Sequence, residues 1–249
     1  MLYHCSMKIA VISDIHGNKL ALDNVLDDIK QRGANKIFCL GDIAMGGYDP
    51  CYTINKLFEL KKELKDDFKI IQGNTDKLIV DFSENLFNEM NAKNPLMAGV
   101  LNLDVKVISD NEKKLLNNLE KEEIVDIKGI KIHLVHGSPR RQDENIFPDM
   151  KIEKVEEMVE KSPAEIILCG HTHIPCGYSL NSGKTVVNAG SVGRSMTKDK
   201  MPVYLLITID SNGQYLFEHI KVKYDNKYVS ELIKKRDFIK SEEFSKLYL

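Results

Sequence analysis

Short apolar runs alternate with amphipathic segments in the first half of the chain. Between residues 19 and 32, apolar side chains recur at three- and four-residue spacing at Leu22, Val25, Leu26 and Ile29. This spacing predicts a helix with one stripe facing the core. Strands are predicted at 8–13, 36–40 and 68–71, with helices at 19–32 and 50–65 between them. Such a β-α-β-α-β order is typical of a parallel sheet with right-handed crossovers.

The segment 77–121 has a different pattern. Its first apolar residues predict one helix: Leu78, Phe82, Leu86, Phe87 and Met90. A looser stretch around Pro95 follows, and residues 112–119 predict another helix. We expect a helical insertion over the sheet edge, within a single domain of residues 7–249, and we expect this insertion to shape the substrate site.

The second half of the chain is richer in strand patterns. Strands at 123–127 and 130–135 meet at Lys128-Gly129, which is a plausible hairpin turn. The remaining elements are a helix at 152–161, strands at 165–169, 176–180, 185–188, 203–210 and 214–223, and a C-terminal helix at 226–246. Because this tail is mostly antiparallel in the prediction, we expect it to form a second sheet packed on the first.

Composition narrows the classes of function. The 35 basic and 37 acidic side chains nearly cancel, so no global field attracts nucleic acid or an anionic membrane, and no nucleic-acid scaffold role is expected. No apolar run approaches the ~18 residues that cross a bilayer, and residues 1–6 are expected to be an extension without signal-peptide character. The 5 cysteines lack C-x-x-C spacing and predict reduced thiols in a cytoplasmic protein.

Candidate chemistry lies in short polar clusters that each follow an apolar run: Asp14-Ile15-His16, Gly41-Asp42, Gly73-Asn74, His136-Gly137 and Gly170-His171-Thr172-His173. Each cluster alone has an ordinary explanation as a turn, a helix cap or a hydrogen-bonded histidine. Strands that end at such residues aim them at the open edge of a sheet, where ligands bind in α/β folds. Taken together, the clusters predict one metal site.

The donor types of these clusters indicate which metals fit. Carboxylate, amide-oxygen and imidazole donors suit Mn²⁺, Fe, Zn²⁺ or Ni²⁺ better than Ca²⁺. None of the clusters contains a cysteine. The neighbouring Cys169 lies inside an apolar run and is not one of the candidate ligands. The pattern therefore differs from a structural zinc knuckle.

The ordered series of clusters resembles the calcineurin-like metallophosphoesterase superfamily. Three stretches are more narrowly similar to its small prokaryotic phosphodiesterase branch: Asp14-Ile15-His16-Gly17-Asn18, His136-Gly137-Ser138-Pro139-Arg140 and Asn188-Ala189-Gly190-Ser191-Val192-Gly193. The resemblance covers about residues 7–222. It implies an α/β fold, namely a four-layer α/β/β/α sandwich of two mixed sheets, with a dinuclear metal centre between the sheet edges.

The resemblance also implies a site and a reaction. Carried over by position, the metal ligands are Asp14, His16 and His173 for one ion, Asn74, His136 and His171 for the other, and Asp42 as the bridge. The implied cofactors are two divalent transition metal ions, with Mn first and Fe, Zn or Ni as alternatives. The implied enzyme is a phosphoesterase, in first place a phosphodiesterase, in which a metal-bridging hydroxide attacks phosphorus in line. Its catalytic residues are Asp42, Asn74 and His136.

Asn18, Thr75 and Arg140 are the expected substrate-binding residues. Many family members have histidine after the Gly-Asn pair, where this chain has Thr75, and threonine cannot act as an acid at neutral pH. General acid help contributes about 10²–10⁴-fold, so its loss favours good leaving groups, and we expect aryl phosphodiesters to be cleaved faster than alkyl monoesters. Asn18 could equally start the following helix, and Arg140 could be a solvated loop charge.

Alternative functions stay open at this point. One is phosphomonoesterase or protein phosphatase activity, and another is a non-catalytic metal-binding scaffold of the same fold. The expected ligand is a small phosphate ester or nucleotide-like substrate, with no membrane partner. The sequence does not indicate the oligomeric state.

Overall fold

The computed structural model describes residues 6–249 and contains two five-stranded sheets. The first sheet consists of β1 (Met7–Ile12), β2 (Lys36–Cys39), β3 (Phe68–Ile70), β9 (Val203–Ile209) and β10 (Tyr215–Lys221). Its spatial order is β10-β9-β1-β2-β3. Strands β1, β2 and β3 run parallel, whereas β9 pairs antiparallel with both β1 and β10.

The second sheet consists of β4 (Glu122–Ile127), β5 (Ile130–Val135), β6 (Ile166–Cys169), β7 (Cys176–Ser179) and β8 (Thr185–Asn188). Its spatial order is β4-β5-β6-β8-β7. Strands β5, β6 and β8 run parallel, and the two outer strands pair antiparallel with their neighbours. Both sheets are therefore mixed, as the fold prediction required.

Within residues 6–249 the structure has nine α-helices: α1 (Lys19–Gln31), α2 (Pro50–Leu64), α3 (Asn74–Val80), α4 (Glu84–Lys93), α5 (Pro95–Val107), α6 (Asp110–Asn117), α7 (Ile152–Val159), α8 (Asn226–Lys234) and α9 (Ser241–Ser245). The α1, α2 and α5 helices begin after side-chain caps from Asn18, Asp49 and Asn94. Such caps satisfy backbone N–H groups that the first turn leaves unpaired.

Alternation along β1 shows how the layers form. Ile9 and Val11 pack between the two sheets with Leu134 and Leu168 of the second sheet, whereas Ala10 and Ile12 belong to the core under the helices. The outer face of the second sheet packs on α7, for example through Val155. The layer order is helices, sheet, sheet, helix, which confirms the predicted α/β/β/α sandwich.

The helical segment differs from its prediction. The helix expected from Leu78 to Met90 is broken at residues 81–83, where the Ser83 side chain caps α4. The stretch around Pro95, expected to be looser, is helix α5. Proline is compatible with the first helical turn because that position needs no donor, and the Asn94 side chain accepts the Met97 N–H at 3.2 Å. The looser-stretch prediction was wrong because Pro95 marks a helix start.

The tail also differs from its prediction. Strands β9 and β10, expected in the second sheet, belong to the first sheet, and β8 runs parallel to β6. The predicted helix 226–246 is divided into α8 and α9, because residues 235–240 leave the helical conformation and Lys240 has φ 68°. The hairpin turn is confirmed, with positive φ at both Lys128 and Gly129.

Three further sequence expectations concern the N terminus, the cysteines and membrane-spanning segments. The expected N-terminal extension lies outside the described residues apart from Ser6. Of the described cysteines, Cys39 and Cys169 are buried, Cys51 and Cys176 are half-buried, and all are free thiols. Among residues 6–249, no helix combines the length and the apolar character that crossing a bilayer requires.

Candidate metal centre

The candidate ligands lie just beyond the carboxyl ends of parallel strands in both sheets. Asp14 and His16 follow β1, Asp42 follows β2, and Asn74 follows β3. His136 follows β5 in the second sheet, and His171 and His173 follow β6. Because the carboxyl ends of parallel strands meet at the same edge, these side chains come together although they are far apart in the sequence.

Backbone strain is concentrated at these positions. The φ angle is positive at Asp14, His16, Asp42, His171 and His173, with values between 49° and 68°. The left-handed region is uncommon for residues other than glycine and costs energy that the surrounding structure must hold in place. The surrounding structure therefore holds the backbone at these five positions in an uncommon conformation.

Three candidate histidines are anchored through Nδ1. His16 Nδ1 donates to Met45 O, His136 Nδ1 to Leu40 O, and His173 Nδ1 to Arg194 O, each at 2.7 Å. A carbonyl oxygen only accepts, so each of these ring nitrogens must carry the proton. In the neutral rings Nε2 then presents a lone pair, which is the arrangement of a metal-ligating histidine with an oriented ring.

The Nε2 atoms of His16 and His173 lie 3.0 Å apart. With both Nδ1 atoms acting as donors, two neutral rings would place two lone pairs against each other. Burial and the nearby positive charge of Arg194 lower the pKa of His16 to about 3, so this ring is neutral at physiological pH. A cation that accepts both lone pairs fits the pair of nitrogens.

The two aspartates lie between these imidazoles. Asp14 Oδ1 is 3.2 Å from His173 Nε2, 3.8 Å from His16 Nε2 and 3.9 Å from His136 Nε2. Asp42 Oδ2 is 3.7 Å from His16 Nε2, and its Oδ1 is 3.4 Å from His136 Nε2. Asp42 therefore presents one oxygen to each side of the site.

Two groups of ligand atoms are compact enough to hold a metal ion. In the first group, atoms of Asp14, His16 and His173 all lie within 4.8 Å of one another. In the second group the same limit holds for Asp14, Asp42 and His136. All of these residues are buried, so a cation bound there would be sheltered from bulk water.

Several of these atoms are buried without a hydrogen-bond partner among the described residues. They include Asp14 Oδ1, Asn74 Oδ1 and His136 Nε2. Leaving a buried polar atom unpaired is costly, and native structures do so rarely. Because these atoms are of the types that coordinate transition metals, the unpaired set is chemically suited to metal binding.

Electrostatics at the site favour bound positive charge. Burial disfavours the charged form of His136, but the facing Asp42 and Asp14 carboxylates raise the pKa of His136 to about 10. Burial opposes ionisation of the two carboxyl groups as well, yet their histidine neighbours hold the pKa of Asp14 and of Asp42 well below the usual range. The carboxylates thus stay ionised and attract a cation at His136 Nε2.

The other two candidate ligands complete the surroundings. The His171 ring is half-buried and lies edge-on to the His136 ring, with centroids 5.3 Å apart. The His171 backbone N–H donates to Asp14 Oδ2 at 2.9 Å, which leaves Oδ1 of that carboxylate for the site. Asn74 is the first residue of α3, which places its side chain at the start of this helix.

The expected substrate-binding residues have structural partners. The Asn18 side chain is fully buried, accepts the Ala21 N–H at 3.2 Å and donates to Gly193 O at 2.8 Å. The Thr75 backbone N–H donates to Asp42 Oδ1 at 2.8 Å, which fixes the orientation of that carboxylate. Asn18 therefore stabilises a helix start and a loop contact, and Thr75 fixes the Asp42 carboxylate. Contact of either residue with a substrate stays a prediction.

Arg140 is engaged by carboxylates. Its Nε and Nη2 atoms donate to Glu144 at 3.1 Å and 2.6 Å, and Nη1 donates to Glu157 at 3.3 Å. A phosphate group would have to compete with both glutamates. The alternative of a solvated loop charge describes this geometry well, since the Arg140 side chain is 37% exposed.

Sequence reasoning missed the groups that orient the ligands. The carbonyl oxygens of Leu40, Met45 and Arg194 fix the histidine rings, and any residue type supplies a carbonyl. No sequence signal identifies such carbonyl acceptors before the fold is known. Asp76 is different, because its position after Gly73-Asn74 is that of a local helix cap, and its carboxylate does accept the Gly73 N–H at the start of α3. The same carboxylate also accepts the Ile43 N–H and so ties the loops after β2 and β3 together.

The chain is similar to known proteins along almost its whole length. The family model described as a calcineurin-like phosphoesterase superfamily domain matches residues 7–212. The uncharacterized protein MJ0912 of Methanocaldococcus jannaschii is 33% identical over 244 residues, which cover 91% of this chain and 92% of that protein.

Two solved structures share the fold. The hypothetical protein PH1004 from Pyrococcus horikoshii OT3 has a TM-score of 0.84 at 23% identity, over 97% of this chain and 97% of that chain. A metallophosphoesterase from Sphaerobacter thermophilus has a TM-score of 0.75 at 21% identity, over 97% of this chain and 98% of that chain. At these identities the structural match concerns the architecture.

Proposed function

Because this chain belongs to the calcineurin-like phosphoesterase superfamily, we propose that it is a phosphodiesterase that depends on two divalent transition metal ions. The family indicates a phosphoric ester hydrolase. The preference for diesters and the dinuclear centre are our proposal. The proposed ligands are Asp14, His16, Asp42, Asn74, His136, His171 and His173.

One observation carries the dinuclear proposal. The Asp42 carboxylate lies between the two halves of the site, with Oδ2 at 3.7 Å from His16 Nε2 and Oδ1 at 3.4 Å from His136 Nε2. A carboxylate whose oxygens face different imidazoles can bridge two cations. Two dications also suit the net charge of the site. Asp14 and Asp42 together supply only two negative charges, so two dications would leave a positive surplus that attracts a phosphate anion.

The donor set is compatible with manganese, which we propose as the first metal to test. Oxygen and imidazole donors without thiolate are compatible with Mn²⁺, Fe, Zn²⁺ and Ni²⁺. The thiol of Cys169, which precedes Gly170-His171, is buried in β6, and burial raises its pKa well above the usual value, so this sulfur stays protonated.

Residues of this chain would position the metal ions and the substrate for the reaction. When bound, the two ions would lower the pKa of a shared water and offset negative charge on the phosphoryl oxygens. The Thr75 backbone N–H holds Asp42 in the bridging orientation. The Thr75 hydroxyl cannot protonate a leaving group at neutral pH, so the site is suited to esters whose leaving group departs as a stable anion.

Substitution of Asp42 by asparagine tests the dinuclear centre. Asp42→Asn removes the bridging charge, so we expect loss of at least one bound metal ion and a fall of more than about 100-fold in hydrolysis of bis(para-nitrophenyl) phosphate. Metal analysis and steady-state kinetics measure both effects. The matched control is Asp66→Asn, which neutralises an exposed carboxylate far from the site. Full metal occupancy and a full rate in Asp42→Asn would refute the proposed role of Asp42.

Comparison of substrates tests the preference for diesters. With added Mn²⁺, bis(para-nitrophenyl) phosphate should be cleaved faster than an alkyl monoester such as glycerol phosphate, and EDTA should abolish the activity. Faster cleavage of the monoester would favour a phosphomonoesterase. A metal-loaded protein without activity on either ester would favour the scaffold alternative.

A further inference from the structure

A cleft opens beside the candidate metal centre, between the helical segment and the loop that follows β5. Its volume is about 580 Å³. Pockets for small molecules commonly fall between 300 and 1,000 Å³. A phosphoryl group at the metal centre would leave this volume free, so the cleft is large enough for an organic substituent of the phosphate.

The cleft is continuous with the metal centre. Asn74 lines it and is also one of the candidate metal ligands, with Oδ1 buried and unpaired among the described residues. A phosphate diester held at the metals would therefore have one ester arm next to the cleft. A second groove also reaches the centre, because His136 lines it, but the other residues of that groove are polar or charged apart from Pro139. The present cleft differs in its two leucines, Leu78 and Leu86.

The walls combine apolar surface with one oriented amide. Leu78 of α3 and Leu86 of α4 line the cleft and are half-buried. Gln142 lines it as well, and its Nε2 donates to Gln72 O at 2.8 Å, which fixes the orientation of the amide. The remaining polar atom of that amide is the acceptor Oε1. Apolar walls with a few oriented polar groups are typical of a site for a small organic ligand.

Charges around the cleft are already neutralised in pairs. Arg141 Nε lies 2.9 Å from Asp143 Oδ1. Lys77 forms an ion pair with Asp81, which lies one helical turn further along the chain. The side chains of these pairs are between 46% and 65% exposed, so they form a solvated rim. Such a rim supplies no net positive charge for a second phosphate. The chemistry of the cleft favours a neutral substituent.

We propose that this cleft binds one ester arm of a phosphate diester and that the arm is a neutral, planar group with apolar faces and an N–H edge, the chemistry of a nucleobase. The faces would pack on Leu78 and Leu86, and the N–H edge would donate to Gln142 Oε1. This inference rests on the proposed phosphodiesterase activity and adds the substrate class to it. Leu78, Leu86 and Gln142 are thus specificity-determining residues.

A pair of chromogenic diesters tests the inference on the Mn²⁺-loaded full chain. Thymidine para-nitrophenyl phosphate and methyl para-nitrophenyl phosphate release the same leaving group and differ in the other arm. The wild-type protein should prefer the thymidine ester, and Leu86→Asn should lower the ratio of the two kcat/KM values about tenfold. Val107→Asn is the matched control, because Val107 lies in the same helical segment, is 47% exposed and does not line this cleft.

A second variant separates a nucleobase from other aromatic groups. Phenyl para-nitrophenyl phosphate carries a flat arm without an N–H edge. Gln142→Met should therefore lower kcat/KM for the thymidine ester several-fold more than for the phenyl ester. An equal decrease for both would overturn the role of Gln142 and assign the cleft to aromatic groups in general.

Binding gives a readout that does not depend on turnover. By calorimetry on the Mn²⁺-loaded protein, thymidine monophosphate should bind about tenfold more tightly than inorganic phosphate, and Leu86→Asn should reduce this difference. Hydrolysis of both diesters with an unchanged ratio in Leu86→Asn would overturn the inference and leave the proposed phosphodiesterase activity standing. Absence of hydrolysis for every ester would overturn the proposed activity and, with it, this inference.

Discussion

At the scale of single residues, the two ring nitrogens of His136 have different environments. Nδ1 of His136 donates to Leu40 O at 2.7 Å, and Nε2 of the same ring is buried without a hydrogen-bond partner among the described residues. The facing carboxylates raise the pKa of His136 to about 10, so at neutral pH a proton occupies the position that a metal ion would take. Metal and proton therefore compete for one atom.

Competition at His136 predicts a pH dependence of metal binding. Below pH 10 the ring is protonated before metal binding, and Mn²⁺ must displace that proton. The apparent affinity for Mn²⁺ should therefore rise about tenfold per pH unit between pH 6 and 9, with about one proton released per site. Calorimetry in buffers of different ionisation enthalpy measures the released protons.

The control for proton release is His133, which lies outside the candidate site. His133→Gln removes a histidine that contacts Ser162 and Glu122, and proton release should be unchanged. His136→Gln should remove the proton release together with one metal ion. A pH-independent affinity in the wild-type protein would contradict the competition.

At the scale of elements, the site depends on close approach between the loops that follow the strands. A Cβ atom added at Gly73 would lie 2.1 Å from Asp42 Oδ1, and one added at Gly193 would lie 1.7 Å from Ile15 O. Only glycine permits loops from different strands to touch at these points. Gly73, which precedes Asn74, and Gly193, which packs against the residue between Asp14 and His16, therefore determine how closely these loops approach one another.

Gly73→Ala tests this convergence. The added methyl group would push Asp42 or the backbone after β3 away, so we expect a loss of about 1–3 kcal/mol in the free energy of unfolding, and weaker metal binding. Gly177→Ala is the matched control, because the nearest atom to its added Cβ is 3.8 Å away. Denaturant titration and metal titration of both variants measure the effects. Equal stability and equal metal affinity in the two variants would contradict the argument.

At the scale of the whole molecule, the C-terminal segment supports the loop beside the site. Arg236 follows α8, donates to Gly47 O and lies 2.7 Å from Asp104 of α5. Asp104 is fully buried and also accepts the Gly46 N–H at 2.9 Å. The same loop supplies Met45 O, which orients His16. A chain of contacts thus joins the helical segment, the C terminus and a candidate ligand.

Removal of Arg236 tests this connection. Arg236→Met leaves the buried Asp104 without its ionic partner, so we expect a loss of about 3–5 kcal/mol in the free energy of unfolding at pH 8. Lys234→Met is the control, because its ion pair with Glu242 is 45% and 67% exposed and should contribute little.

The loss in Arg236→Met should depend on pH. Burial raises the pKa of Asp104 from 3.8 in a solvated chain to about 6 in the folded protein, even beside Arg236. Stability therefore falls as the pH rises between these values, and removing the arginine raises the folded pKa further and extends that fall to higher pH. The variant should lose less stability at pH 5 than at pH 8 in denaturant titrations. A loss that is the same at both pH values would contradict the role of Asp104.

The sequence by itself determined the fold class and the order of most elements. Apolar periodicity marked α1 and the strands β1 to β3, because side chains repeat with the period of the element that buries them. It also placed polar residues of metal-binding type after the strand ends, and the family match confirms the resemblance on which the site proposal rests. These features are local, and a sequence records local features directly.

Only the tertiary structure decided how distant segments meet. It assigned β9 and β10 to the first sheet, since strand partners depend on pairing across the chain. It showed Asp42 between His16 and His136 and set carbonyl oxygens against the histidine rings. It also formed the cleft from segments more than 60 residues apart, such as Asn74 and Gln142. Such contacts depend on the folded backbone, because residue type alone does not fix which groups become neighbours.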